Sequence, residues 1–163
     1  MVWSRTWRRV RREIARYRRS VPKLRALRWQ EWKDLLHAQL ALAQAQREMR
    51  GRPVGEMVRD EPAPMGVSSA ERVADARRIA LAVNRAAEFG LFRPRCLVKS
   101  RALRKLLDEA GVQGAQVRVG VQLSHGRFLA HAWVEYGGQV VGDDSAVVAR
   151  YVPMTGIQVA DLE

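Results

Sequence analysis

The sequence is poor in cysteine and in histidine. It contains one cysteine and three histidines in 163 residues. A single cysteine excludes an intramolecular disulfide framework and a zinc site built from cysteines alone, which leaves it the roles of buried filler, redox sensor or nucleophile. The histidines are scattered along the chain without the spacing of metal ligands. We therefore expect neither a metal ion nor any other cofactor.

The sequence also lacks a long apolar run. Arginines interrupt the first 30 positions, which excludes the apolar region of about 7 to 15 residues that a secretory signal requires. The longest nearly uncharged stretch of this half, residues 35–46, falls short of the ~20 apolar residues that a membrane-spanning helix needs. We therefore expect a cytoplasmic protein.

Negative charge is scarce in the first third of the chain. The sequence has 29 Lys+Arg against 17 Asp+Glu, a formal net charge of +12. Residues 1–52 hold 15 of the basic and 4 of the acidic residues, which leaves 14 against 13 for residues 53–163. The net charge therefore belongs to the N-terminal segment, which also contains four of the five tryptophans.

Apolar residues of the N-terminal segment recur in steps of three or four, which predicts two amphipathic helices, the first strongly basic. One interpretation is that the tryptophan stripe packs against the rest of the protein. The alternatives are docking to an acidic partner or leader peptide and contact with an anionic membrane surface. No base-reading motif supports nucleic acid as a partner. The periodic residues are Trp3, Trp7, Val10, Ile14 and Tyr17, then Trp29, Trp32, Leu36, Leu40 and Ala43.

The remainder of the chain predicts a linker followed by an α+β domain. Ser68 begins a capping-box pattern that opens a helix ending near Gly90, and Pro94 opens a second helix that Gly111 closes. After Gly111 the apolar period changes to two, which predicts a small antiparallel sheet of three or more strands. The predicted parts are a basic helical extension (1–50), a proline- and glycine-rich linker (51–67) and the α+β domain (68–163).

One cysteine, one histidine and one aspartate stand where an acyl-transfer site would need them. Cys96 lies in the first turn of its predicted helix, where unpaired backbone N–H groups stabilise an anion. His131 lies in the second predicted strand, and Asp143 follows the third. In a Cys-His-Asp triad the thiolate attacks a carbonyl, the imidazole transfers the proton and the carboxylate orients the ring. The same three residues are also compatible with a site that has no catalytic role, in which the cysteine is buried, the histidine is structural and the aspartates form a turn.

Two neighbours of the histidine lie on the same face of its predicted strand. Trp133 either shields the imidazole from water or packs in the core, and Glu135 is expected to pair with an arginine. The other two histidines are not assigned to the reaction. His37 is expected on a polar helix face, and His125 in a hairpin loop, with a place along the peptide groove as the alternative.

Five short motifs follow one another through the C-terminal domain. They are Phe92-Arg93-Pro94-Arg95-Cys96-Leu97-Val98-Lys99-Ser100-Arg101-Ala102-Leu103, Leu106-Leu107 with Ala110-Gly111-Val112, Val119-Gly120-Val121, His131-Ala132-Trp133-Val134-Glu135 and Val141-Gly142-Asp143-Asp144. Together they resemble the lasso peptide biosynthesis B proteins, the transglutaminase-like leader peptidases of a ribosomal peptide pathway. The resemblance covers about residues 68–153.

The resemblance implies a papain- or transglutaminase-like fold and a cysteine protease that removes the leader from a lasso precursor peptide. A separate macrolactam cyclase would then act on the freed amine. By position, Cys96 matches the nucleophile, His131 the general base and Asp143 the orienting acid, with Asp144 as the alternative acid.

The resemblance also bears on partners. Fused members of the family carry a winged-helix leader-recognition domain, whereas residues 1–52 show only helical periodicity. A split form that depends on a separate leader-recognition protein is therefore implied. Two alternatives stay open: an acyltransferase, in which an amine instead of water resolves the thioester, and a non-catalytic basic binding module.

Overall fold

Four helices and four strands make up residues 29–50 and 69–154, the parts of the chain that this computed structural model describes. The four strands form one antiparallel sheet of order β3-β2-β1-β4, which confirms the predicted α+β fold. None of the helices in these two ranges is long and apolar enough to cross a membrane. The elements are α1 (Trp29–Glu48), α2 (Ala70–Phe89), α3 (Cys96–Glu109), β1 (Gln116–Ser124), β2 (Arg127–Tyr136), β3 (Gln139–Val141), α4 (Ser145–Val148) and β4 (Val152–Pro153).

Two of the predicted segments lie outside the described residues. They are the basic helix over residues 3–17 and the linker over residues 51–67. The boundaries drawn at residues 50 and 67 therefore stay a prediction.

Local sequence signals set the ends of α2 and α3. Ser69 caps α2, because its side chain accepts a hydrogen bond from the backbone N–H of Arg72 at 3.3 Å. The predicted cap, Ser68, lies outside the described residues. Helix α3 begins at Cys96, and just beyond its end Gly111 adopts a φ of 74°, a left-handed conformation that glycine takes without steric cost.

Two tight turns fix the register of the sheet. Gly137 and Gly138 have φ values of 57° and 74° and connect β2 to β3, the conformation that a two-residue hairpin favours. His125 and Gly126, with φ values of 51° and 73°, form the corresponding turn between β1 and β2. His125 therefore lies in a hairpin loop, as the sequence predicted.

The hydrophobic core lies between the sheet and the three long helices. Val134, Tyr136 and Val141 form its sheet side, and α1, α2 and α3 contribute mainly alanine, leucine and valine. Because side chains alternate along a strand, His131 and Trp133 point to the other face of β2. The sheet thus carries its core on one face and the predicted histidine on the other.

Helix α1 packs with the face opposite to the tryptophan stripe. Packing of the stripe against the rest of the protein was one interpretation, and for α1 it is wrong, because the stripe's four large residues there are 44% to 75% exposed. Small side chains occupy the buried face instead and allow α1 to approach α2 and α3 closely. Helix α1 therefore shares the core of the α+β domain. The buried residues are Ala38, Ala41, Leu42 and Ala45, and the exposed ones are Trp29, Trp32, Leu36 and Leu40.

Ion pairs between α1 and α2 flank this interface. Arg85 Nη1 lies 3.0 Å from Glu31 Oε1, and Arg78 donates a hydrogen bond to Asp34. The hydrogen bond that Arg78 donates to the Asp34 carboxylate raises the pKa of Arg78. Both arginines are more than a third exposed, so the pairs orient the two helices and add little to stability.

Candidate active site

His131 and Asp143 form the polar centre of the candidate site. His131 Nε2 lies 3.0 Å from Asp143 Oδ2, and the two side chains are 19% and 17% exposed. Strand β2 positions the histidine, and the turn after β3 places the aspartate beside it. Because the carboxylate occupies Nε2, Nδ1 is the ring nitrogen left to exchange a proton with a substrate or a nucleophile.

Lys99 connects this pair to the helix that carries the cysteine. Its Nζ lies 3.3 Å from Asp143 Oδ2 and 3.3 Å from the carbonyl oxygen of Gly142. Cys96 precedes Lys99 by three residues in α3, so the two side chains lie on the same side of the helix. The motif Cys96-Leu97-Val98-Lys99 thereby places the thiol one helical turn from Lys99, the lysine that contacts Asp143.

Cys96 is a free, partly buried thiol at the first position of α3. The N-cap residue, Arg95, has a side chain that can only donate hydrogen bonds, so it does not cap the N–H groups of the first turn. Among the described residues no hydrogen bond joins Cys96 directly to His131. The structure therefore brings two of the three predicted residues into contact and places the third at the adjoining helix end.

Asp144 has a different position from Asp143. Its side chain accepts a hydrogen bond from the backbone N–H of Ala146 at 2.9 Å and so caps α4. Its own backbone N–H donates to Asp143 Oδ1 at 3.1 Å. Both oxygens of Asp143 are therefore bound, one to the backbone and one to His131 and Lys99. Of the two candidate acids, Asp143 is the one that contacts the imidazole.

Gly142 allows the turn that presents Asp143 to pack against two helices. Its φ is 79°, and a Cβ at this position would lie 2.7 Å from Leu103 Cδ2 and 3.3 Å from Ala80 Cβ. Its carbonyl oxygen accepts a hydrogen bond from Asn84 Nδ2 at 3.0 Å, in addition to the one from Lys99. The position of Asp143 is thus set by α2 and α3 as well as by the sheet.

Aromatic rings surround the imidazole. The Trp133 ring is stacked on His131 at 6.3 Å between centroids, and the Tyr151 ring lies at 5.2 Å. Trp133 is buried, and its Nε1 donates to Glu135 Oε1 at 2.8 Å. Gly120 leaves the space it needs, since a Cβ there would lie 2.8 Å from the indole. Trp133 thus packs in the protein interior, one of the two roles predicted for it, with its ring against the imidazole.

The expected arginine partner of Glu135 is Arg118 on the neighbouring strand, at 3.3 Å. Sequence reasoning missed Asn84 and Tyr151. Neither belongs to one of the five motifs, and both reach the site only through the tertiary fold.

A helix that begins with a cysteine, together with a histidine–aspartate pair on an antiparallel sheet, is the arrangement of the papain- and transglutaminase-like class. The sequence comparison agrees with this geometry. The chain belongs to the transglutaminase-like superfamily, whose family model matches residues 21–156. This range includes every residue of the candidate site. None of the curated proteins and none of the solved structures compared with the chain matches it.

Proposed function

We propose that this chain is a cysteine peptidase that removes the leader from a lasso precursor peptide. The proposal is carried by the hydrogen bond between His131 Nε2 and Asp143 Oδ2, beside the helix that opens with Cys96. The transglutaminase-like superfamily contains cysteine peptidases and acyltransferases, so peptide-bond chemistry fits the family. The finer assignment to leader removal is supported by the resemblance of the five motifs to lasso B proteins.

In this mechanism His131 Nδ1 accepts the proton of the Cys96 thiol, and the thiolate attacks the carbonyl at the leader–core junction. The backbone N–H of Cys96 stabilises the oxyanion that forms. The imidazolium then gives its proton to the departing amine of the core peptide, which leaves the leader as a thioester on Cys96. Water, deprotonated by His131, hydrolyses the thioester and restores the thiol. Asp143 holds the ring so that Nδ1 stays available throughout.

The proposed reaction involves three partners. They are the precursor peptide, a separate recognition protein that delivers the leader and a macrolactam cyclase that uses the freed core amine. The N-terminal segment, with 15 basic and 4 acidic residues in positions 1–52, offers positive charge for docking an acidic partner or leader.

Mass spectrometry of a lasso precursor peptide incubated with the chain and its recognition protein tests the proposal. We expect a single cut in the wild-type reaction and none with Cys96→Ala. His131→Ala should lower the rate by about 100-fold or more, the scale of a lost general base. His37→Ala is the matched control, because His37 lies exposed on α1, away from the site, and its loss should leave cleavage unchanged. Unchanged cleavage by Cys96→Ala would disprove the proposal.

The same experiment separates hydrolysis from acyl transfer. An acyltransferase would release the leader joined to an added amine, whereas a peptidase releases it with a free carboxylate. We expect the free carboxylate even when the reaction contains a primary amine. A conjugate as the main product would instead assign the chain to the acyltransferases of its superfamily.

A further inference from the structure

A groove of about 740 Å³ lies beside the candidate site, between α2 and β3. Asp143, Lys99 and Pro94 line the end nearest the site, but Cys96 and His131 do not line the groove. Ala80, Leu81, Ala87 and Val140 give the groove an apolar surface, and Leu81 is 50% exposed. The groove therefore lies next to the reacting groups and outside them.

One wall of the groove is a sheet edge. Strand β3 is the outermost strand of the sheet formed by the described residues. It is joined to β2 by the two-residue turn at Gly137 and Gly138, so Gln139 and Val141 are hydrogen-bonded to β2 while Val140 is not. The N–H and C=O of Val140 therefore point away from β2, toward the groove that Val140 lines.

The charges of the groove do not select an anion. Arg77 donates to Gln139 Oε1 at 3.1 Å, and Lys99 is bound to Asp143. With Arg93, three basic residues line the groove, and three acidic ones, Glu88, Asp143 and Asp144, balance them. An outward-facing backbone donor and acceptor beside an exposed leucine instead match an extended peptide, which pairs through its main chain and buries one apolar side chain.

We propose that the groove binds an extended segment of the substrate peptide as an added β-strand on the edge of β3. The N–H of Val140 donates to a carbonyl of the segment, the C=O of Val140 accepts from an amide of the segment, and an apolar side chain packs on Leu81. This inference rests on the proposed function for the identity of its ligand. It assigns to the groove a segment of the peptide that lies beyond the scissile bond.

Val140→Pro tests the inference with little disturbance of the fold. Proline removes the outward N–H, and since that N–H makes no bond to β2, the β2–β3 ladder keeps its hydrogen bonds. Val140→Ala keeps the N–H and is the matched control. Both changes are made in Cys96→Ala, so that a fluorescent peptide spanning a lasso leader–core junction is bound and not cut. Melting temperatures of both variants check that the fold is retained.

We expect Val140→Pro to weaken binding of this peptide by about 2- to 10-fold in Kd, the range for one lost hydrogen bond. Val140→Ala keeps the backbone N–H and trims only the side chain, so it should weaken binding clearly less than Val140→Pro. Single N-methylation along the peptide should weaken binding at alternate positions, because only every second amide of an added strand faces β3. Equal Kd values for the two variants, or no binding by either, would overturn the inference. The wild-type chain could fail to cut the same peptide while the Kd values of the two Val140 variants still differ. That result would overturn the proposed peptidase activity and retain the groove as a peptide-binding site.

Discussion

At the scale of single residues, the position of Asp143 depends on groups from three directions. Oδ2 meets His131 Nε2 and Lys99 Nζ, and Oδ1 accepts the backbone N–H of Asp144. A carboxylate held at both oxygens has one orientation, and it imposes one orientation on the imidazole. Lys99 therefore acts as a positioning residue, which gives this member of the cysteine motif a structural role.

Asp143→Asn should lower the cleavage rate by about 100-fold or more, because an amide can donate to Nε2 and favours the tautomer whose Nδ1 carries the proton. Asp144→Asn is the matched change one residue along. Asparagine is also a good N-cap, so α4 keeps its cap and the rate should fall by less than about threefold. Steady-state cleavage of the precursor by both variants measures the difference. The reverse order would make Asp144 the acid.

The element that carries each candidate residue was predictable, because Cys96 follows the proline that opens a helix, His131 lies in an alternating strand and Asp143 follows the next strand. The preference for Asp143 over Asp144 rested on the resemblance, since adjacent residues in a turn have the same pattern. Only the fold shows that one faces His131 and the other caps α4. Asn84 reaches Gly142 across 58 residues of sequence, a contact that no local signal specifies.

At the scale of elements, α1 shows that the large apolar side chains of a helix need not be its buried ones. Leu42 is fully buried, and Leu40, two residues away, is 60% exposed. Leu42→Ala should lower the free energy of unfolding by about 2–5 kcal/mol, as expected for a core leucine. Leu40→Ala should change it by less than about 0.5 kcal/mol. Urea denaturation of both variants compares them, and a larger loss for Leu40→Ala would mean that the tryptophan stripe is the packed face.

Two glycines in the turns on either side of β3 allow a second comparison, between substitutions at Gly142 and at Gly138. Gly142→Ala and Gly138→Ala both place alanine at a positive φ, 79° and 74°, and each should cost roughly 1–2 kcal/mol of stability. A Cβ at position 142 also meets Leu103 at 2.7 Å, whereas none of the described atoms lies within 4 Å of one at 138. Cleavage should therefore fall strongly in Gly142→Ala and stay near wild type in Gly138→Ala. Equal rates would show that the turn does not position Asp143.

Strands and helix ends were largely predictable because glycine and proline mark them. Gly111 predicted the end of α3, and the change of apolar period after it predicted the sheet. The buried face of α1 was not predictable by the same method. Hydrophobic periodicity favours large side chains, while packing among three helices favours small ones that let the backbones approach.

At the scale of the whole molecule, the chain combines a strongly basic segment, residues 1–52, with a nearly neutral remainder, residues 53–163. The family match begins at residue 21, and α1 contributes to the core, so the excess charge extends into the folded domain. Residues 1–20 nevertheless hold eight of the 15 basic residues of positions 1–52, against one acidic residue. Deletion of residues 1–20 can therefore test the proposed docking role separately from the proposed cleavage.

We expect the full chain to bind a poly-glutamate peptide in fluorescence anisotropy and to lose about tenfold or more in affinity as salt rises from low to physiological concentration, because salt screens exposed charges. Deletion of residues 1–20 should abolish this binding and leave cleavage of the precursor unchanged. A full-length variant with the eight arginines of this segment replaced by lysine is the control, since it keeps the charge and removes the guanidinium groups. Binding retained by the lysine variant identifies charge as the determinant, and binding lost by it identifies arginine-specific contacts. Undiminished binding by the truncated chain would place the docking surface within residues 21–163.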